Sequence, residues 1–206
     1  MSRRRRNGLF VLCIAILLTV VWLDRQFGAG LRKEIAQRAK WGVDGWKYHG
    51  KTFTVVKIVD GDTLDLAIGD GKFDNTRVRL LGMDSPETKS PKVPAMYYGA
   101  EATAFAEQLA DGKEVTVIID TVGDVRDMYD RLLAYIRLDD GRVHNEELIV
   151  NGCAYADLRF RHSQYDRYVR LQQKAMEQKA GLWKNVTTEQ LPKWLQRESP
   201  DLLKQD

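Results

Sequence analysis

The sequence predicts an α+β fold in which about three helices accompany a five-stranded barrel of the OB type, preceded by an N-terminal transmembrane or signal-anchor helix. Three observations carry this expectation. Five short β-rich runs follow one another between turn residues after Gly50. A helical period interrupts them after the third run and returns after the fifth, the order expected of a small closed barrel with helices on its outside. Finally, a basic cluster at the N-terminus precedes a long uncharged apolar stretch.

The apolar stretch comes first. Arg3 to Arg6 lead into Gly8–Leu23, 16 positions without a charge, or about 24 Å of helix at 1.5 Å per residue. A cleavable signal peptide begins in the same way, but Asp24, Arg25 and Gln26 follow where small residues would precede a cleavage site. The expected reading is therefore an uncleaved, single-pass anchor with its N-terminus in the cytoplasm and the folded domain outside it; cleavage would make the domain secreted. Arg25, Arg32, Lys33, Arg38 and Lys40 on the far side nearly balance the positive-inside count, so orientation rests on the contiguity of the first four arginines. Leu31 to Trp41 reads as a short basic amphipathic helix lying on the membrane surface, with Leu31, Ile35 and Ala39 on one stripe. The expected organisation is 1–24 as basic tail and anchor, 25–50 as juxtamembrane spacer, 51–186 as the barrel domain and 187–206 as a loosely ordered tail.

The strands expected are Thr52–Val59, Thr63–Ile68, Thr76–Leu81, Glu114–Asp120 and Leu132–Leu138. In the third, Val78 and Leu80 alternate with Arg77 and Arg79, so one face is core and the other presents cations. Helical periods run from Tyr98 to Leu109, with Gly112 just beyond, from Val143 to Val150, stopped by Asn151 and Gly152, and from Gln164 to Lys179, stopped by Gly181.

Charge placement removes one easy inference. The 206 residues carry a formal net charge of +3, but residues 1 to 51 hold 11 Lys/Arg against 3 Asp/Glu, whereas residues 52 to 206 hold 21 against 26. The basic excess belongs to the N-terminal appendage, so affinity for phosphate has to come from particular arginines and a metal. Cys13 and Cys153 supply no disulfide framework, and His49, His144 and His162 match no zinc spacing.

Three acidic loci remain: Asp60-Gly61-Asp62-Thr63, Asp84-Ser85-Pro86-Glu87, and Asp124 to Asp130. Leu64, Asp65 and Gly71 stand where an EF-hand needs an oxygen ligand, a glycine and a glutamate, which excludes that loop for the first. Arg79 lies five residues before Asp84, so a guanidinium and carboxylates can converge at one end of the barrel. Hard carboxylate oxygens suit Ca2+, and an arginine fork suits a phosphate. Pro86 stiffens the turn that carries Glu87, a carboxylate that can orient or deprotonate a water.

These segments, with Val78 to Thr88, Tyr98 to Ala102, Asp127 to Tyr135, Val143 to Leu148 and Gly181-Leu182-Trp183, resemble the staphylococcal nuclease (thermonuclease) family in order and spacing over roughly Thr52 to Trp183. The resemblance implies that Asp62, Asp84 and the Ser85 carbonyl bind Ca2+, that Glu87 acts on the attacking water, and that Arg79 and Arg131 bind the phosphate. It further implies that Tyr129 bonds a terminal nucleotide phosphate, and that DNA or RNA is cut to leave 3′-phosphate ends by a monomer. The family's nucleotide-stacking tyrosine falls near Leu158, with Tyr155 and Phe160 both standing as substitutes. Two departures matter: Asp130 replaces a glycine and Met128 a lysine, and each lowers positive potential beside Arg131. The rival expectations are a catalytically inactive nucleic-acid- or protein-binding barrel, and a membrane-tethered structural domain.

Overall fold

The computed structural model describes residues 15–88 and 94–204, and the chain divides into two compact units, Met1–Trp46 and Lys47–Asp206. In the first, helical residues 15–23 continue through a π-helical turn, Asp24–Gly28, into α1, Ala29–Lys40, followed by α2, Gly42–Lys47.

The membrane-anchored localisation is corrected here. Among the described residues no helix is long and apolar enough to cross a membrane. The apolar part of the described helix ends at Leu23, about 14 Å of rise against a hydrocarbon core of about 30 Å. Asp24 then pairs with Arg32 at 2.6 Å and Arg38 with Glu34 at 3.1 Å, so the helical path continues through charged residues. The start of the apolar run, with Cys13, lies outside the described residues.

The second unit is the expected barrel. Strands β1 (Thr52–Asp60), β2 (Thr63–Leu66), β3 (Thr76–Leu80), β5 (Glu114–Ile118) and β6 (Leu132–Arg137) close in the order β1-β2-β3-β6-β5. Every neighbouring pair is antiparallel except β3 with β6, which is parallel. Side-chain alternation fills the interior: Val55, Leu64, Leu66, Val78, Leu80, Val115, Val117, Leu132, Ala134 and Ile136 are all buried. On β3 the same alternation turns Arg77 and Arg79 away from that core.

Helices α3 (Gly99–Ala110), α4 (His144–Val150) and α5 (Tyr165–Glu177) stand where the helical periods place them. A second, two-stranded sheet was not expected from the sequence: β4, Met83–Asp84, pairs antiparallel with β7, Tyr155–Ala156. Nor is the C-terminal segment loosely ordered. A capped turn, Thr188–Gln190, leads into α6, Lys193–Glu198, and buries Leu191, Trp194 and Leu195 in one cluster with Tyr155, Ala175, Leu182 and Trp183.

One buried group makes this core sensitive to acid. His144 is fully buried, neither ring nitrogen has a hydrogen-bond partner among the described residues, and burial pushes its pKa down to about 4. Unfolded, the same imidazole takes up a proton near pH 6.5, so between about 6.5 and 4 the unfolded chain binds more protons. Stability is therefore expected to fall with pH across that window, by up to about 3 kcal/mol. His162 is shifted in the same direction by burial. Urea unfolding at pH 7 and pH 4.5 measures the effect, and His144→Leu is expected to reduce the difference between the two pH values.

Candidate active site

The site grows from the turn between β1 and β2. The β1–β2 register shifts between Ile58 and Asp60, which brings Asp60 opposite Thr63. Asp60 Oδ1 accepts the Asp62 N–H at 3.1 Å, while the Asp62 carbonyl accepts the Leu80 N–H at 2.8 Å, tying the turn to the end of β3. Asp62 is only 6% exposed. Its Oδ1 accepts the Thr63 hydroxyl at 3.0 Å, and its Oδ2 accepts both the Ser85 backbone N–H (2.9 Å) and hydroxyl (3.2 Å). A side chain at Gly61 has no room, since its Cβ would lie 2.7 Å from that of Ser85.

Arg79 joins the two acidic loci. Its Nη1 forms an ion pair with Asp62 Oδ2, and its Nη2 reaches Asp84 Oδ1 at 2.5 Å. Asp84 is held from the other side by its register with Tyr155 in the β4–β7 ladder. Glu87 follows on an exposed turn, where its carbonyl accepts the Met96 N–H at 2.9 Å. The Gly99 backbone approaches so closely that a Cβ there would stand 2.6 Å from the Glu87 carbonyl oxygen. Partial burial, then Asp60 and Asp84, raise the Glu87 pKa above its ordinary value, against the pull of Arg79 and Arg131. Burial also raises that of Asp60, again opposed by Arg79 and Arg131. Both arginines thus lie within electrostatic reach of the same carboxylates.

Arg131 is positioned by a loop that Asp127 organises. Asp127 Oδ1 accepts the N–H groups of Tyr129 (2.9 Å) and Arg131 (3.0 Å), while Oδ2 accepts Arg131 Nε at 2.7 Å. Asp130 closes the loop at φ +64°, a left-handed conformation that glycine adopts most freely. This explains how an acidic residue occupies a glycine position: Asp is among the residues that tolerate it. Tyr129 is 71% exposed, with the Arg131 guanidinium 5.5 Å from its ring centre. A cleft of about 370 Å³ adjoins Arg131 and Tyr129 and is lined further by Asp65, Asp70, Asp74, Arg77 and Asp130. A cleft of about 410 Å³ between Phe105, Lys113, Leu138 and Arg142 contains none of the site residues.

Of the two aromatics the sequence left open as a stacking residue, Tyr155 is fully buried and Phe160 is 63% exposed. The sequence did not point to Arg159 or Trp194, both of which touch Asp84: Arg159 Nη2 lies 3.3 Å from Oδ1, and Trp194 Nε1 donates to Oδ2 at 2.7 Å. All of these residues lie within the Lys47–Asp206 unit.

The family described as staphylococcal nuclease homologue matches residues 77–185. A thermonuclease of Staphylococcus hyicus is 33% identical over 136 residues, covering 66% of this chain and 77% of that protein. The thermonuclease of Staphylococcus intermedius is 32% identical over 135 residues, 65% of this chain and 77% of the relative. An SPbeta prophage-derived endonuclease, YokF, of Bacillus subtilis is 33% identical over 132 residues, 63% of this chain but 43% of its own length. The chain belongs to the staphylococcal nuclease homologue family.

Proposed function

We propose that this chain is a calcium-dependent nuclease that hydrolyses phosphodiester bonds of DNA or RNA and leaves 3′-phosphate ends. The observation that carries the proposal is the convergence of Asp62, Asp84 and Arg79, with Glu87 and Arg131 in electrostatic reach. The thermonuclease and endonuclease names of the relatives support a nuclease.

The donor set fits a hard divalent cation. Asp62 and Asp84 come close enough to share one guanidinium, so they can also share a metal ion, and Ser85 adds a backbone carbonyl. Among the described residues no three His, Cys, Asp or Glu side chains gather as a metal site, so water has to complete the six to eight oxygens that calcium takes. When bound, calcium supplies positive charge that stabilises the negative charge developing on the phosphate.

The protein's own groups do the rest. Glu87 orients the attacking water and takes its proton, a task favoured by a carboxyl whose pKa is raised toward the working pH. Arg79 and Arg131 donate to the equatorial oxygens, where charge builds in the transition state. Tyr129 bonds a terminal phosphate through its hydroxyl, and Phe160, exposed beside Arg159, offers a stacking face to a base.

Purified protein is expected to cleave single-stranded DNA with calcium and to stop when a chelator is added. Folded protein that binds DNA but leaves it intact at every calcium concentration would favour the inactive binding module instead. Asp130→Gly is expected to lower KM by about two- to five-fold at unchanged kcat, because it removes an exposed negative charge beside Arg131. The gain should shrink as salt is added. Stability should stay within about 1 kcal/mol, because relief of the left-handed strain and the greater freedom of the unfolded chain oppose each other.

A further inference from the structure

The C-terminal segment lies beyond the span that the family matches, yet it reaches the candidate metal ligands. Leu191, Trp194 and Leu195 follow a helical i, i+3, i+4 spacing and are buried against Tyr155, Leu182 and Trp183. That packing aims the Trp194 indole N–H at Asp84 Oδ2, 2.7 Å away. The other oxygen, Oδ1, faces Arg79 at 2.5 Å and Arg159 at 3.3 Å. The Arg159 guanidinium lies 4.6 Å from the centre of the Trp194 ring and donates to Asp157 through Nε and Nη2, both at 2.8 Å. The indole therefore does two things to one carboxylate: it bonds one oxygen directly and carries the arginine that contacts the other.

Packing alone does not explain this. Trp183, in the same cluster, has an indole nitrogen with no hydrogen-bond partner among the described residues, so this core accommodates an unpaired indole N–H. The Trp194 N–H is instead spent on Asp84. A neutral donor orients a carboxylate without adding a charge that competes with a cation, which an ammonium in its place would do.

We propose that Trp194 is a positioning residue: from the C-terminal helix it fixes the rotation of the Asp84 carboxylate and so presets that side chain as a calcium ligand. The proposal rests on the calcium reading given under Proposed function. Calcium titration calorimetry on the full chain tests it, using Trp194→Phe, which keeps an aromatic ring and removes the N–H. Trp183→Phe and Arg159→Gln are the comparisons. The expected result is calcium affinity about tenfold weaker in Trp194→Phe. Trp183→Phe should bind as the wild type does. Arg159→Gln, which keeps the indole bond and removes a positive charge, should bind no more weakly than the wild type. The calcium-induced change in tryptophan fluorescence should persist in Trp183→Phe and diminish in Trp194→Phe. Wild-type affinity in Trp194→Phe overturns this inference and leaves the calcium reading intact, as does an equal loss in Trp183→Phe, which would assign the effect to general packing, or in Arg159→Gln, which would assign it to the guanidinium. A wild type that takes up no calcium overturns both.

Discussion

Glu87→Gln is expected to lower the single-turnover rate of DNA cleavage by about 10²- to 10⁴-fold, the usual contribution of a positioned general base. The substitution keeps the side chain's size and its exposed place on the turn after Pro86, so the thermal midpoint should hardly move. Calcium affinity should also survive, because Asp62, Asp84 and the Ser85 carbonyl are untouched. The diagnostic pattern is a fall in kcat with substrate and calcium binding nearly unchanged, as for a group whose contribution is made in the transition state. A variant that cleaved at the wild-type rate would remove Glu87 from the mechanism.

Arg79→Ala should do something different. Losing a guanidinium that meets the equatorial oxygens is expected to cost about 10²- to 10³-fold in rate, by analogy with removing one donor of an oxyanion site. But Arg79 also bridges Asp62 and Asp84, and Asp62 is almost wholly buried. Without it two carboxylates face each other with no cation between them, a loss of about 3 kcal/mol in calcium-free buffer. Calcium offsets that repulsion, so the thermal midpoint of Arg79→Ala should rise more steeply with calcium than that of the wild type. Calcium affinity should rise as well, since a competing cation has gone. Thermal unfolding with and without calcium, alongside single-turnover kinetics, separates Arg79→Ala from Glu87→Gln.

The sequence revealed most where chemistry is local. The alternation of β3 was enough to turn Arg79 out of the barrel core, and the short spacing from Arg79 to Asp84 was enough to bring the two together. The turn Asp60-Gly61-Asp62-Thr63 was legible for the same reason, since the bonds that shape it run between neighbours. What escaped was non-local. The β4–β7 ladder has two residues per strand, too few to show a period, yet it fixes Asp84. Asp127 stood out only as one member of an acidic locus, although it bonds both the Tyr129 and Arg131 backbones. Trp194 is 110 residues from Asp84, and its short helix, Lys193–Glu198, lies in a segment that reads from the sequence as a loosely ordered tail. At the other end, the apolar run read as an anchor because its composition suits one. The described helix instead passes from Leu23 directly into Asp24 and Arg25.

The central claim is that these residues make a calcium-dependent phosphodiesterase of defined regiochemistry. The most direct measurement is mass spectrometry of the fragments released from one synthetic oligonucleotide by the purified chain, in calcium and in chelator. Fragments ending in a 3′-phosphate, formed in calcium and absent in chelator, are the predicted result. An intact oligonucleotide at every calcium concentration, with the protein shown to be folded, would contradict the account, as would fragments that form equally well in chelator.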